Sequence, residues 1–429
     1  MKINNSRLRT LTEVAIVSVI LIILGAYTWN YYDIAVFMDW VRIAITTSPL
    51  CIYIYAVKCG YMPLAPLTFI AFAIASYNVL MLIYNLVPPE VQLYIFRLMI
   101  KLPLFISIYL VGYILHKREG WKIAREWLIG IPVFIIISTY QFDPLMVLTL
   151  LLGAYALIDR KYKLAGVYWA LSTAIKYIPA ILIPIIAKDL KRKGKLKEFF
   201  VPYLIVLATI TLPFMIMDPT AFIKNALGFH MLRPPQMLSI FNVPYLISRF
   251  DPIVGITLAQ IWAPIVITIY AIMIKYLDVD TLSKDELFKA LFIVIGVFLL
   301  VNKVVNPGYI MWVYPFLIYW LNKLNNKKLK MLVLASILIA ITVISLRYYV
   351  CAELGKPIYI EEDMAWYDSK SFVEKSVSVY DELEENINID QDLLRWFYEN
   401  YPLIGALSIT AYNISFLYLI AKVWKRKNP

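Results

Sequence analysis

Residues 127–160, WLIGIPVFIIISTYQFDPLMVLTLLLGAYALIDR, decide the fold. They run between two basic stretches, 116–125 and 160–163, and residues 164–187 run in the same way between 160–163 and 188–197. Basic flanks mark the cytoplasmic side of membrane segments, so each segment has to enter the membrane and return. Each arm then has about 11–15 residues, roughly 17–22 Å at the helical rise per residue. That is too short to cross a hydrocarbon core of about 30 Å. Two short helical hairpins are expected, buried among longer helices, because irregular backbone at membrane depth needs protein or a wet cavity around it. Their tips read Gln141-Phe142-Asp143-Pro144 and Lys176-Tyr177-Ile178-Pro179. Two polar tips at similar depth imply a polar cavity opening outward.

The rest of the chain agrees with a membrane setting. Hydrophobic residues make up 61 % of the 429 residues, charged residues 16 %, and the mean hydropathy is +0.71. Soluble domains are nearer 45–50 % apolar and about 25 % charged, so the fold class expected is all-α and polytopic, with about 10–12 membrane helices including the hairpins. Most loops are short, which leaves no room for a nucleotide-binding domain on the order of 100 residues. The net charge of +12 follows topology. Basic residues gather at 2–9, 116–125, 160–163, 188–197, 323–330 and 422–427, whereas 350–400 carries 13 acids against Lys356, Lys370, Lys375 and Arg395. The first set is placed in the cytoplasm and the acidic stretch outside, and no nucleic-acid partner is expected. The organisation expected is a membrane domain over 1–349, an acidic extracytoplasmic loop over 350–401, and a last helix with a basic tail over 402–429.

Three cysteines exclude a disulfide framework and a Cys-rich metal site, while Cys51 and Cys59 are either bridged or free. The first apolar run is too long for a cleaved leader and reads as a retained signal anchor. It spans 13–32, and 33–63 reads as a semi-polar loop. Segments at 64–86 and 98–115 then give an odd number of crossings before the basic 116–126. Either 41–57 also crosses, or one segment between 64 and 115 is re-entrant, or the charge rule fails locally. Later spans are expected at 199–217, 252–274, 288–303, 308–321, 331–350 and 402–421.

Polar residues concentrate on the outer side: Asp33, Asp39, Tyr61, Gln141, Asp143, Lys176, His230, Arg233, Lys303 and Asn306. Carboxylates and cations in one outward cleft suit a reaction in which a hydroxyl loses its proton and a phosphate departs.

In order along the chain, Asp33-Ile-Ala-Val-Phe37-Met-Asp39, Tyr61-Met-Pro63, Arg97-x-x-x-Lys101-Leu-Pro103, Gln141-Phe-Asp143, Ala174-Ile-Lys176-Tyr-Ile-Pro179, His230-Met-Leu-Arg233 and Asn302-Lys303 with Tyr309, Trp312 and Phe316 resemble the GT-C glycosyltransferases. These membrane enzymes use polyprenyl-phosphate sugars, and the likeness is greatest to the GPI mannosyltransferase I catalytic subunit and related prokaryotic enzymes. The resemblance covers about 14–325. It implies transfer of a hexose, with mannose favoured, from a polyprenyl-phosphate sugar to a lipid-linked or glycan acceptor on the extracytoplasmic face, with inversion. Asp33 would be the general base, and Lys176, Arg233 and His230 would meet the lipid phosphate. Gln141 and Asp143 would bind sugar hydroxyls or position the acceptor. The resembling enzyme carries Asp-x-Asp where this chain has Tyr31-x-Asp33, so one acid is missing, no metal ligand is assigned, and divalent-metal use stays unsupported. The membrane expected is the plasma membrane of a prokaryote or the endoplasmic reticulum of a eukaryote.

Each residue also has a plainer reading. Asp33 would be a helix end or cap, Asp39 a loop charge, Asp143 an N-cap before a proline, Lys176 a snorkelling lysine, His230 with Arg233 a surface pair, and Lys303 a span end. The alternative function is a transporter or flippase of lipid-linked saccharides, and a third is a non-catalytic scaffold.

Overall fold

The computed structural model describes residues 5–354 and 391–426. Helix dominates: among the described residues the strands are two two-residue pieces. Among the described residues six helices are long and apolar enough to span a membrane: Arg9–Tyr27, Leu64–Ile83, Leu196–Met217, Pro252–Tyr276, Lys327–Cys351 and Asp392–Lys425. Pro89–Ile100 and Leu102–Glu119 form a seventh if taken together, bent by 47°. The chain is an all-α, multi-pass integral membrane protein. It divides into two compact units, Met1–Ile183 with Leu190–Ala226, and Pro184–Asp189 with Leu227–Pro429.

In the first unit, α1 (Asn5–Tyr27) is followed by α2 (Tyr31–Thr46), the short α3 (Ile52–Tyr55) and α4 (Leu64–Ile83). The expected loop over 33–63 is therefore corrected, since its first half is helix. Two sequence features make it so. Asn30 accepts the Asp33 N–H at 3.2 Å and caps α2, and Ile34, Val36, Phe37, Trp40, Val41 and Ile43 recur at helical spacing and are buried. Asp33, which falls on that same face, and the charged Asp39 and Arg42 interrupted the apolar run and hid that period. The first span also ends earlier than expected, at Tyr27.

The bent pair is α5 (Pro89–Ile100) and α6 (Leu102–Glu119), broken at Lys101 just ahead of Pro103, whose ring and missing N–H do not fit a continuous helix. Next come α7 (Trp121–Leu128), α8 (Ile131–Thr139), α9 (Asp143–Ile158), α10 (Tyr162–Ile175), α11 (Ile183–Arg192), whose residues 184–189 count with the second unit, α12 (Leu196–Met217) and the short α13 (Pro219–Ile223). Both expected tips are turns, at 140–142 and 176–177. The arms find other neighbours, however: α9 packs mainly on α10, across the basic turn, α10 packs on α12, and α8 leans on α1 and α6. Gly166 sets the α10–α12 approach. A Cβ there would come within 2.2 Å of the Phe199 carbonyl oxygen, the close approach that small residues permit between membrane helices.

The second unit holds α14 (Phe229–Leu232), α15 (Asn242–Ile247), α16 (Pro252–Tyr276), α17 (Lys284–Val301), α18 (Tyr314–Leu324), α19 (Lys327–Glu353) and α20 (Gln391–Lys425). α20 packs along α19, α15 and α17, with Ser336 and Ser415 hydroxyls 2.5 Å apart between α19 and α20. Strands β1 (Gln236–Met237) and β2 (Val304–Val305) pair in parallel. α20 begins eleven residues before the expected 402, because Leu394, Phe397 and Tyr401 are buried and extend its packed face. Most of the acidic stretch, 355–390, lies outside the described residues. Cys51, Cys59 and Cys351 are free and buried.

Candidate active site

Asp33 stands in the first turn of α2, half-buried. Asn30 is the cap of that helix, so the capping reading of Asp33 is replaced. Gln141 Nε2 donates to Asp33 Oδ2 at 2.7 Å, and Tyr61 Oη donates to Gln141 Oε1 at 2.9 Å. The Lys176 ammonium lies 5.5 Å from the centre of the Tyr61 ring and donates to Asp143 Oδ1 at 2.7 Å. Five residues spread over nearly 150 positions thus meet in one network within the first unit.

Local structure explains how each is placed. Lys176 takes an extended conformation at the end of α10. Its side chain is 8 % exposed and that of Asp143 is 0 % exposed. A snorkelling lysine would reach water, so that reading is corrected. Asp143 opens α9 itself, with Phe142 in the cap position making no side-chain bond, so its capping reading is corrected too. Its oxygen goes to Lys176 because isolated charge is costly in an apolar interior. Around this pair, Ser172 Oγ donates to the Met146 carbonyl at 2.7 Å and Trp169 Nε1 to the Pro179 carbonyl at 2.9 Å.

Beneath the network lies a cluster of rings. Phe37 is 4.5 Å from Trp40, 5.3 Å from Phe69, 5.8 Å from Tyr140 and 5.3 Å from Phe142, centroid to centroid. Tyr61 sits 5.3 Å from Phe142. Tyr140 adopts φ 61°, a left-handed conformation that costs a non-glycine residue about 1–2 kcal/mol, and ring packing on both sides holds it there. The turn at 140 aims Gln141 at Asp33. Composition alone assigns such aromatics to interfacial belts and helix packing. The helical spacing of Phe37 and Trp40, and the run Tyr140-Gln-Phe142, are the signals that separate them.

Further residues frame the site. Asp39 pairs with Arg42 at 2.6 Å and accepts the Val57 N–H at 3.0 Å. The Val57 bond ties the 47–63 segment to α2, as does Trp40 Nε1 to the Lys58 carbonyl at 2.7 Å, while Tyr53 Oη to the Tyr61 carbonyl at 2.6 Å closes the segment on itself. At the end of α1, Arg97 Nη1 donates to the Ala26 carbonyl at 3.3 Å and stacks on Trp29. Lys101 Nζ donates to the Gly25 carbonyl at 3.0 Å and also to that of Thr28. Two buried cations thus meet the negative end of α1's dipole just ahead of the helix that carries Asp33.

His230, Arg233, Lys303 and Asn306 belong to the second unit. Arg233 donates to Gln236 Oε1 and lies over the Phe229 ring at 5.1 Å. His230 is 5.2 Å from the same ring. Lys303 is fully buried, donates to the Met231 carbonyl and lies 4.9 Å from the Trp262 ring centre. Gln236 N donates to the Lys303 carbonyl at 2.8 Å and Ser239 Oγ to the Asn302 carbonyl at 2.7 Å, so the two loops are sewn together. Asn306 caps the turn that follows β2 by position, without a side-chain bond to it. Lys303 is more than a span end.

Among the described residues no three His, Cys, Asp or Glu side chains gather where they would share a cation. The Gln141 side chain bonded to Asp33 is an amide donor and not a second acid.

The membrane fold and the sequence together define the class: a GT-C type membrane glycosyltransferase. Within that class the chain belongs to glycosyltransferase family 87, whose model matches residues 61–302, more than half of the sequence. The matched stretch holds Tyr61, Gln141, Asp143, Lys176, His230 and Arg233, and Asp33 precedes it. The chain is also similar to GPI mannosyltransferase 1 of Candida albicans (strain SC5314 / ATCC MYA-2876), 23 % identical over 230 residues. That alignment covers 49 % of this chain and 56 % of the relative, so the chain spans little more than half of that protein's length.

Proposed function

We propose that this glycosyltransferase moves a hexose, mannose in the first instance, from a polyprenyl-phosphate sugar to a lipid-linked or glycan acceptor on the extracytoplasmic face of its membrane. The observation that carries the reading is the Asp33 carboxylate, half-buried and held at one oxygen by the Gln141 amide. A carboxylate so fixed suits a general base. It takes the proton of the acceptor hydroxyl as that oxygen attacks the anomeric carbon. The bond from that carbon to the phosphate oxygen breaks, and the lipid phosphate leaves with the electron pair, inverting the centre. The mannose assignment is supported by the similarity to GPI mannosyltransferase 1, and the outward orientation by the basic segments that flank 127–187.

Lys176, paired with Asp143, holds the second turn beside Tyr61. Arg233, with His230 beside it, suits the binding of an anionic group of a substrate. The test is Asp33→Asn in membranes supplied with polyprenyl-phosphate mannose and an acceptor lipid. Turnover should fall by about 10²–10⁴-fold, the usual contribution of a positioned base, with donor binding retained. Undiminished turnover would remove Asp33 from the reaction. Movement of labelled lipid across vesicles without a new glycosidic bond would favour the flippase reading instead.

A further inference from the structure

The resemblance implies that Gln141 binds a sugar hydroxyl or positions the acceptor. Its surroundings give it another task. The side chain is buried, 8 % exposed, and both of its polar atoms are engaged: Oε1 receives the Tyr61 O–H, and Nε2 gives an N–H to Asp33. A carboxamide has a donor end and an acceptor end. A phenol hydroxyl fixed on Oε1 therefore turns the NH₂ group toward the carboxylate. The opposite rotamer would place Oε1 against Asp33, oxygen facing oxygen.

Three features keep Tyr61 on its side of the amide. Tyr53 Oη holds its carbonyl at 2.6 Å, Phe142 packs against its ring, and the Lys176 ammonium stands 5.5 Å from the ring centre. A cation at an aromatic ring draws on its electrons and makes the phenol O–H a better donor. On the other side, the left-handed turn at Tyr140 and the rings around it fix the backbone that delivers Gln141.

We propose that Gln141 is a positioning residue for Asp33, with Tyr61 setting which way its amide faces. This rests on the reading of Asp33 as base. An N–H given to one oxygen favours the ionised carboxylate and fixes how the carboxylate is turned for the incoming hydroxyl. Proton transfer then goes from the acceptor O–H to Asp33, and Gln141 exchanges no proton. The network also joins the Lys176–Asp143 pair to the base through Tyr61, so a change at one end reorients the other.

The experiment compares full-length enzyme with Gln141→Leu, Gln141→Glu, Tyr61→Phe and Asp33→Asn, measuring kcat, the KM of polyprenyl-phosphate mannose and of the acceptor lipid, and the rate against pH. Gln141→Leu should lower kcat by about 10–100-fold, the worth of one hydrogen bond to a charged group, with both KM values held within about threefold, since uniform binding is untouched. Its acidic limb should move to higher pH. Gln141→Glu keeps the shape while removing the donor. It should be as slow as Gln141→Leu near neutral pH, and it separates loss of the bond from loss of fold. Tyr61→Phe should show a smaller loss of about 3–10-fold in kcat, again without a change in KM.

A raised KM with unchanged kcat in the Gln141 variants would return this residue to substrate binding and overturn the inference. An unmoved acidic limb would do the same. If Asp33→Asn is inactive in those cases, the base reading stands alone. If Asp33→Asn keeps full turnover, the base reading fails and this inference with it.

Discussion

In the first unit the ammonium of Lys176 meets the carboxylate of Asp143; in the second, that of Lys303 meets a carbonyl and an indole. Both lysines are buried. The partners differ in charge, and that decides what each can do. An ammonium with a carboxylate partner is neutralised and serves as a fixed strut between the ends of α9 and α10. An ammonium held by neutral groups has no counter-charge, so its positive charge goes uncompensated at a cost. The network of the first unit is thus built to hold a geometry, and the basic loop of the second to carry a charge.

The strongest way to break this comparison is Lys176→Met. It strands the Asp143 carboxylate in a dry site, and stability should fall by about 3–5 kcal/mol, the usual result of removing one partner of a buried pair. The double variant Asp143→Leu/Lys176→Met should recover most of that loss in a thermal melt in detergent. A mild effect of the single variant would show that the pair is wet and not a strut. Lys303→Met should behave differently. It gives up one hydrogen bond and a cation–π contact but also the cost of a buried charge, so stability should change by no more than about 1 kcal/mol.

The smallest effect concerns the Arg118–Asp159 pair at the far end of α6 and α9, 2.5 Å apart and partly exposed. The hydrogen bond from Arg118 holds the Asp159 carboxyl below its ordinary value, against a weaker upward push from burial. A depressed native value means the unfolded chain takes up the proton first as pH falls. The pair's stabilisation is therefore full above the ordinary carboxylate range and is lost as pH drops through the native value. Solvent screening keeps it small. Between about pH 6 and pH 3, Arg118→Gln should lose about 1–2 °C less in melting temperature than the parent. An equal drop in both would show that the pair contributes nothing.

The membrane helices were legible because apolar runs of spanning length carry their meaning locally. The break between α1 and α2 was not. It depends on Arg97 and Lys101, which sequence reading met only as parts of a resemblance, and no local pattern ties them to the carbonyls of residues 25–28. The polar tips were found from charge flanks. Their partners were not, since Gln141 and Asp33 are 108 positions apart and nothing in spacing says which acid an amide will meet. Asp143-Pro144 has the form of a cap, and the buried lysine 33 positions on outweighed that local signal. Nothing in the sequence pattern gave the neighbours of the hairpin arms, and the tight approach at Gly166 directs α10 to α12.

The collar of cations on α1 bears on the order of events during synthesis. The carbonyls of residues 25–28 are met by side chains 71–76 positions downstream. At a translation rate of roughly 5–20 residues per second, those side chains emerge about 4–15 s after the helix they terminate. Until then the first membrane helix has an unfinished end, and the Asp33 carboxylate waits longer still for Gln141, 108 positions downstream. The nascent chain therefore finishes the start of α2 backwards, with later segments completing the earliest one.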